Sequence, residues 1–301
     1  MVSVVLIILV SIIFGGIIIR TKSLMSGRKG PVMLQPIYDI LKLLRKGSVY
    51  SRTSSFITQI APLVYFSSVA LATLFIPFGQ HRGIISIEGD FILFAYLLTV
   101  GKFMLIVAAL DSGSSFEGMG ASREVLFLAL IEPAFFIIMS SFTLLSGKIS
   151  FAEIFASVHY NSQFSYFIRI LSAIILMLIA MVENSRMPVD DPKTHLELTM
   201  IHEVMILDYS GFDLGIILYT TYLKFAMYGA LIANFFIGQL SMINSIAIFL
   251  GIQVLFAGII GIIESFMARF RMNHNPQYIL ILSSLSVLIF MGILMFLGKI
   301  I

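Results

Sequence analysis

Residues 277–298 read QYILILSSLSVLIFMGILMFLG, a run that contains no charged side chain. A helix of about 20 apolar residues is long enough to cross the roughly 30 Å hydrocarbon layer of a bilayer. The run lacks the alternation of polar and apolar residues that marks the strands of a membrane barrel. The segment therefore predicts a membrane-spanning helix.

Similar runs recur along the chain. The 301 residues are 59% hydrophobic and 12% charged, with a mean hydropathy of +1.02, which is more apolar surface than a soluble core of this length could bury. We predict an all-α integral membrane protein forming one polytopic domain, residues 1–301. The eight predicted spans are 1–19, 56–78, 90–110, 124–146, 165–183, 213–238, 243–267 and 277–298. The first is interpreted as an uncleaved span, because no small-residue cleavage site follows it.

The loop after the first span, residues 20–52, is the most basic part of the chain. Pro36 supplies a helix start, and apolar residues such as Ile40 then recur at helical spacing, with Asp39 and Lys42 on the opposite side. This pattern predicts a short amphipathic helix on the membrane surface. An ordinary basic cytoplasmic loop explains the charge but not the helical spacing, and the sequence leaves both interpretations open.

The distribution of Lys and Arg predicts the orientation. One set of loops carries Arg20, Lys22, Arg28, Lys29, Lys42, Arg45, Lys46, Arg52, Arg123, Arg186, Lys193, Arg269 and Arg271, and the opposite side carries Arg82, Lys148, Arg169 and Lys299. The richer side is cytoplasmic by the positive-inside rule. We therefore expect both termini outside the cell membrane and two long cytoplasmic loops, residues 20–52 and 184–212.

Several classes of site are excluded by composition. The chain contains no Cys, so it cannot form disulfides or thiolate-held metal centres by itself. His202-Glu203 is followed at the fourth position by Ile206, so the two-histidine zinc clamp is absent. A net charge of +3, with the basic residues beside apolar runs, does not indicate nucleic-acid binding. No catalytic, cofactor-binding or metal-binding residue is assigned to this chain.

Three charged residues are expected inside the membrane: Lys102, Glu132 and Lys224. A charge at the bilayer centre costs at least about 2.5 kcal/mol, so each indicates a functional site. Glu132 precedes Pro133, which removes one backbone hydrogen bond and can leave room for water. Two interpretations follow: an ion relay, or a buried ion pair between Glu132 and a lysine without a transport role.

Four more carboxylates are expected near the cytoplasmic ends of spans. Glu183 closes span five and Glu264 lies in the last turns of span seven. Glu124 and Asp111 are interpreted as helix-terminus carboxylates, Glu124 at the start of span four, where a negative charge is favourable.

The loop 184–212 holds a concentration of polar residues. Pro188 and Pro192 prevent a regular helix over 184–192, and a second helix is predicted to begin near Pro192. On this helix, Glu197 and Asp208 would share one face and His195 and His202 another, with Glu203 between the two faces.

The run ENSRMPVDDP at 183–192, followed by Glu197 and by DYSG at 208–211, resembles the cytoplasmic loop of the NADH dehydrogenase subunit 1 family of respiratory complex I, also called the H-subunit family. The resemblance covers essentially the whole chain.

Two further places agree with that family. LQPIYDILKL at 34–43 is similar to its surface helix, and GASR at 120–123, with Glu132, is similar to its fourth span. The run PVDDPKTHLELTMIHE at 188–203 looks more like the branch found in energy-converting membrane-bound nickel–iron hydrogenases, formate hydrogenlyase (subunit 4) and related sulfur-reducing complexes.

The resemblance implies a subunit that anchors a peripheral redox arm and joins it to antiporter-like membrane subunits. It implies partner contacts for Gln35, Pro36, Asp39, Lys42, Arg123, Arg186, Pro188, Asp190, Asp191 and Pro192. It implies an ion-coupling path through Glu132, Glu183, Glu197, Glu203 and Asp208, to which position adds His202, Lys102, Lys224 and Glu264. Nickel–iron and iron–sulfur centres are expected on hydrogenase-like large and small subunits and an iron–sulfur subunit.

Three functions stay open at this point. The first is a coupling subunit of a hydrogenase-type complex that moves protons or sodium ions. The second is the quinone-site subunit of an NADH-quinone oxidoreductase. The third is a stand-alone ion-coupled transporter, which would predict an inverted repeat that the sequence does not display.

Overall fold

The structure is a computed structural model that describes residues 1–79, 81–157, 163–191, 200–238 and 240–298. Its helices are α1 (Val2–Met25), α2 (Gln35–Leu44), α3 (Phe56–Thr73), α4 (Asp90–Asp111), α5 (Ser115–Ser146), α6 (Phe151–Ser157), α7 (Gln163–Glu183), α8 (His202–Met205), α9 (Gly211–Asn234), α10 (Met242–Phe266) and α11 (Asn275–Phe296). The predicted all-α class is confirmed.

Eight of these helices, α1, α3, α4, α5, α7, α9, α10 and α11, are long and apolar enough to cross a membrane. The eight predicted spans are therefore confirmed, with most ends displaced by a few residues. The predicted helix in the first long loop is present as α2, with Pro36 in its first turn. Its Ile40 is buried, whereas Asp39 and Lys42 lie on its outer side, which agrees with an amphipathic helix.

Helix α9 is the central span. In its most apolar window 72% of the residues are buried, a larger share than in any other candidate span of the described chain. It packs against α1, α2, α3, α7 and α10. Because its surroundings are protein on most sides, α9 can carry a charged residue, Lys224, without exposing it to lipid.

Helix α5 begins at Ser115 and not at residue 124 as the apolar pattern predicted. The additional turns contain glycines and polar residues, so the criterion of a long apolar run does not detect them. They are buried against α8 instead: a Cβ added at Gly120 would lie 2.9 Å from the carbonyl oxygen of Ile201. The placement of Glu124 at a helix start was therefore wrong, because Glu124 lies inside α5 and is buried.

The prediction of one long helix from Pro192 to Asp208 is also wrong for residues 200–208, the part of it that the structure describes. Met200 and Ile201 are not helical, and α8 is a single turn that ends at Met205. The backbone N–H groups of Ile201 and His202 donate instead to the carboxylate of Asp190, at 3.2 and 3.1 Å. Residues 192–199, with Pro192, His195 and Glu197, lie outside the described residues, and the part of the prediction that concerns them stays a prediction.

Candidate functional site

Lys224 and Glu183 form a buried ion pair between α9 and the last residue of α7. Lys224 Nζ donates to Glu183 Oε2 at 2.5 Å and to the backbone oxygen of Glu183 at 3.2 Å. Lys224 is fully buried. The ammonium group thus meets both a carboxylate and the negative end of a helix, which together offset its loss of hydration.

Lys102 on α4 pairs in the same way with Glu124 on α5, and both side chains are buried. The hypothesis that Glu132 pairs with a lysine was therefore wrong among the described residues, since each membrane lysine has another carboxylate. The reason is the earlier start of α5, which moves Glu124 from a helix end into the bundle.

Glu132 lies on α5 and accepts a hydrogen bond from Thr99 Oγ1 of α4 at 2.6 Å. Both residues line a cavity of about 20 Å³ that Glu183 and Tyr228 also line. A cavity of roughly 10–15 Å³ holds one water when polar groups surround it. Glu132 and Glu183 therefore face one water-sized space although they belong to different helices.

A second cavity, of about 150 Å³, is lined by the three residues that follow Glu183. Its walls are largely polar and comprise Gly15, Ile19, Asn184, Ser185, Arg186, Asp190, His202, Glu203, Leu218, Thr221 and Tyr222. Two buried polar atoms of these walls, Asn184 Oδ1 and His202 Nδ1, have no hydrogen-bond partner in the described chain. Unsatisfied polar atoms facing a space for several waters indicate a hydrated cavity.

Burial shifts the pKa values of several titratable side chains of this cavity, among them Glu203 and His202. Burial raises the pKa of Glu203 to about 7, the neighbouring Asp190 carboxylate contributes to the rise, and Arg186 opposes it. Burial lowers the pKa of His202 well below its usual range, and the cations Lys102, Lys224 and Arg186 add to this effect. At neutral pH Glu203 is thus close to its midpoint of protonation while His202 is uncharged.

Glu264 on α10 binds two cations at the edge of the cavity. Its Oε1 lies 3.1 Å from Arg186 Nη1 and its Oε2 lies 3.5 Å from Lys22 Nζ of α1. The Arg186 guanidinium also lies over the ring of Phe225, 5.2 Å from its centroid. These contacts join α1, α9, α10 and the loop after α7 into one charged cluster.

The chain matches known proteins over nearly its full length. The family described as NADH dehydrogenase matches residues 1–296. This chain belongs to the NADH dehydrogenase family. The family resemblance inferred from residues 183–192 is thereby confirmed.

The relatives of this NADH dehydrogenase family member are named either as components of a hydrogenlyase or hydrogenase or as subunits of an NADH-quinone oxidoreductase. Formate hydrogenlyase subunit 4 of Escherichia coli is 26% identical over 274 residues, which are 88% of this chain and 88% of the relative. Hydrogenase-4 component C of Escherichia coli is 27% identical over 70% of this chain and 66% of the relative. The H subunit of NADH-quinone oxidoreductase from Salinibacter ruber is 24% identical over 70% of this chain, and only 62% of that relative is covered.

The fold of this family member also matches a solved structure. A chain of the membrane-bound sulfane sulfur reductase, an archaeal respiratory membrane complex, superposes with a TM-score of 0.81 and 22% identity, over 96% of this chain and 97% of that chain. At this identity the match establishes the shared fold.

The residues assigned to partner contacts by the NADH dehydrogenase resemblance fall into two groups. Gln35, Asp39, Lys42, Arg123 and Asp191 are partly or fully exposed, whereas Pro36, Arg186, Pro188 and Asp190 are buried within the chain; Pro192 is outside the described residues. Asp190 forms an ion pair with Arg269 Nη2 at 2.9 Å, and it accepts a hydrogen bond from the backbone N–H of His202 at the start of α8. Burial raises the pKa of Asp190, and Arg269 opposes that shift. The interface role stays a prediction.

The structure brings most of the predicted coupling residues together but separates one. Asp208 is exposed, and its backbone N–H donates to Glu117 Oε1 at 3.0 Å, away from the two cavities. Sequence reasoning missed Thr99, Glu117 and Lys22. Thr99 carries no charge, and Glu117 lies in turns that were predicted to be a loop, so no pattern in the sequence could have identified these two. Lys22 was counted only among the basic residues of the first loop.

Proposed function

We propose that this chain is the membrane-anchor and coupling subunit of a complex I-like respiratory complex of the membrane-bound hydrogenase type. In that role it docks a peripheral redox arm and transmits redox energy to the translocation of protons or sodium ions. The names of the two Escherichia coli relatives support the hydrogenase branch. Coverage supports it too, since the chain spans 88% of formate hydrogenlyase subunit 4 but 62% of the relative from NADH-quinone oxidoreductase.

The observation that carries the proposal is the position of residues 183–186 between the two cavities. Glu183 lines the cavity of about 20 Å³ together with Glu132, and the next three residues line the cavity of about 150 Å³ with Glu203. A change of charge near Glu203 therefore acts, through this short segment, on the Glu183–Lys224 pair and then on Glu132. Such coupling requires only that Glu203 and Glu132 belong to one set of interacting charges.

The coupling proposal assigns the redox chemistry to other subunits. We expect hydrogenase-like large and small subunits and an iron–sulfur subunit at the cytoplasmic loops, carrying nickel–iron and iron–sulfur centres, and antiporter-like subunits in the membrane. We expect no cofactor in this chain. Both termini are proposed to lie outside the cell membrane, on the strength of the distribution of Lys and Arg.

A second candidate is the quinone-site subunit of an NADH-quinone oxidoreductase, which the relatives of that name favour. The described cavity beside Glu203 measures about 150 Å³, has charged walls and is below the roughly 300 Å³ of a typical ligand pocket. This size and polarity favour water and charge transfer over a long apolar substrate. A stand-alone transporter has no comparable support.

The decisive experiment replaces Glu132 by Gln in the intact complex, reconstituted in liposomes. Ion translocation should be lost while redox turnover with an artificial acceptor is retained, because only the ionisable group of the path is removed. The matched control is Glu88→Gln, an exposed carboxylate outside both cavities. Retained pumping in Glu132→Gln would contradict the central role of this residue.

The composition of the purified complex separates the candidates. Co-eluting nickel and hydrogenase-like subunits would support the coupling role, and co-eluting flavin would support the quinone-site role. A chain that purifies alone and transports ions by itself would support the transporter.

A further inference from the structure

Two buried tyrosines on different helices lie close to both ion pairs. Tyr65 of α3 is 1% exposed and Tyr228 of α9 is 3% exposed. A tyrosine hydroxyl group both donates and accepts hydrogen bonds, so it can take up one proton and release another without becoming charged. The path through Glu183 and Glu132 makes no use of either hydroxyl group.

Tyr65 reaches from α3 across the backbone of α4 to α9. A Cβ added at Gly101 of α4 would lie 3.0 Å from Tyr65 Cδ2, so the ring packs directly against the residue before Lys102. A hydrogen bond joins the hydroxyl groups of Tyr65 and Thr221 of α9. Thr221 lines the cavity of about 150 Å³ that Glu203 also lines. The Tyr65 hydroxyl group is therefore one hydrogen bond away from the wall of the larger cavity.

Tyr228 extends the same arrangement to the smaller cavity. It lies seven residues after Thr221, so the two side chains share one face of α9. Tyr228 lines the cavity of about 20 Å³ together with Glu132 and Glu183. Both of these carboxylates and Tyr65 act electrostatically on its hydroxyl group. Thr221, Tyr65 and Tyr228 thus form a series of hydroxyl groups from the wall of one cavity to the wall of the other.

The charges around Tyr65 favour the passage of a proton. Lys102, Glu124 and Glu183 all act on its hydroxyl group, so both ion pairs flank it. The carboxylates stabilise a transient positive charge, and the lysine stabilises a transient negative charge. A sodium ion would have to displace these buried side chains, whereas a proton needs only a rearrangement of hydrogen bonds.

We infer that Tyr65 and Tyr228 form a relay of hydroxyl groups that carries protons between the cavity of Glu203 and the cavity of Glu132. Each hydroxyl group takes a proton from the group before it and gives its own proton to the group after it. Both tyrosines end neutral and one proton has moved. The relay rests on the proposed coupling function and narrows it, because only protons can use this route. It also gives the Lys102–Glu124 pair a role beside the path.

The first test removes only the hydroxyl groups, in the intact complex reconstituted in liposomes. Tyr65→Phe and Tyr228→Phe should each slow ion translocation by about tenfold, the effect of one lost hydrogen bond in the path, while redox turnover with an artificial acceptor is retained. Tyr219→Phe is the matched control on α9. The Tyr219 hydroxyl group accepts a hydrogen bond of 3.5 Å from Ser11 and lines neither of the two cavities described above. This variant should translocate at the wild-type rate.

The second test needs only the purified full chain. Infrared difference spectra with isotope-labelled tyrosine are recorded between about pH 6 and about pH 8, on the two sides of the pKa of Glu203 near 7. A tyrosine band should change over this range in the wild type and in Tyr219→Phe. The change should be absent in Tyr65→Phe and in Glu203→Gln, because a relay transmits the protonation of Glu203 to the Tyr65 hydroxyl group.

The outcomes separate the relay from the coupling function. Wild-type translocation in Tyr65→Phe and Tyr228→Phe, with none in Glu132→Gln, would overturn the relay and leave the coupling function in place. Loss of redox turnover together with translocation in Tyr65→Phe would show a structural role and overturn the relay as well. If Glu132→Gln still translocates ions, the coupling function fails and the infrared test decides alone: a tyrosine band that does not change with pH overturns the relay.

Discussion

Lys224 binds both the carboxylate and the backbone oxygen of Glu183, and this contact joins the central helix α9 to the end of α7. Its position explains how the chain can hold a full positive charge among apolar spans. Glu183 also lines the small cavity that Glu132 lines. The Lys224–Glu183 pair therefore both stabilises the bundle and forms part of the proposed coupling path.

Replacing Lys224 by Met should lower the free energy of unfolding by about 3–5 kcal/mol, because it leaves the Glu183 carboxylate buried without a partner. Adding Glu183→Gln should recover part of that loss. The measurement is denaturant unfolding of the detergent-solubilised chain, followed by helical circular dichroism. Lys148→Met is the control, since Lys148 is exposed and its pair with Glu153 is 3.8 Å long. Equal stability of Lys224→Met and the control would contradict this account.

Thr99→Val should slow ion translocation by about tenfold, because it removes the hydrogen bond to Glu132 and one polar wall of the small cavity. Thr99→Ser keeps the hydroxyl group and should translocate at close to the wild-type rate. Both variants are assayed in the reconstituted complex, with redox turnover measured in parallel. If Val and Ser behaved alike, the hydroxyl group would have no part in the path.

The stability of the chain should fall as the pH rises from about 5 to 8, in part because of Glu203. Its pKa is about 7 in the folded protein, above the usual 4.5 of a glutamate side chain, so between these values the folded state binds more protons than the unfolded state. The slope of unfolding free energy against pH is then negative, and the contribution of Glu203 is full below pH 4.5 and lost as the pH passes 7.

Glu203→Gln should remove this part of the slope and leave the protein more stable than the wild type at about pH 8. The comparison is made by unfolding at several pH values, with Glu88→Gln as the control for a general change of charge. A slope that is the same in Glu203→Gln and the wild type would show that Glu203 titrates normally.

Gly261→Ala should destabilise the packing of α1 on α10 by about 1–3 kcal/mol. A Cβ at this position would lie 2.7 Å from Thr21 Cβ and 2.9 Å from the backbone oxygen of Ile18, so α1 would have to move. Gly258→Ala on the same helix is the matched control, because nothing lies within 4 Å of its added Cβ. The control should be neutral or more stable by up to about 1 kcal/mol, since Ala favours a helix over Gly. Thermal unfolding distinguishes the two.

The class of the protein, its eight spans and its family could be inferred from the sequence. Long apolar runs determine membrane helices because the bilayer leaves the backbone no other way to satisfy its hydrogen bonds. The run at 183–192 carried the family resemblance. The two places where the prediction failed, the start of α5 and the length of α8, are stretches where glycines and polar residues are buried by packing and by the Asp190 carboxylate.

The sequence by itself determined which residues enter the membrane region and that Lys102, Glu132 and Lys224 must find polar surroundings there. Only the tertiary structure decided the partners: Glu124 for Lys102, Glu183 for Lys224 and Thr99 for Glu132. The physical reason is distance along the chain. Helical periodicity specifies neighbours three or four residues apart, whereas these partners lie 22, 41 and 33 residues apart and meet only when helices pack.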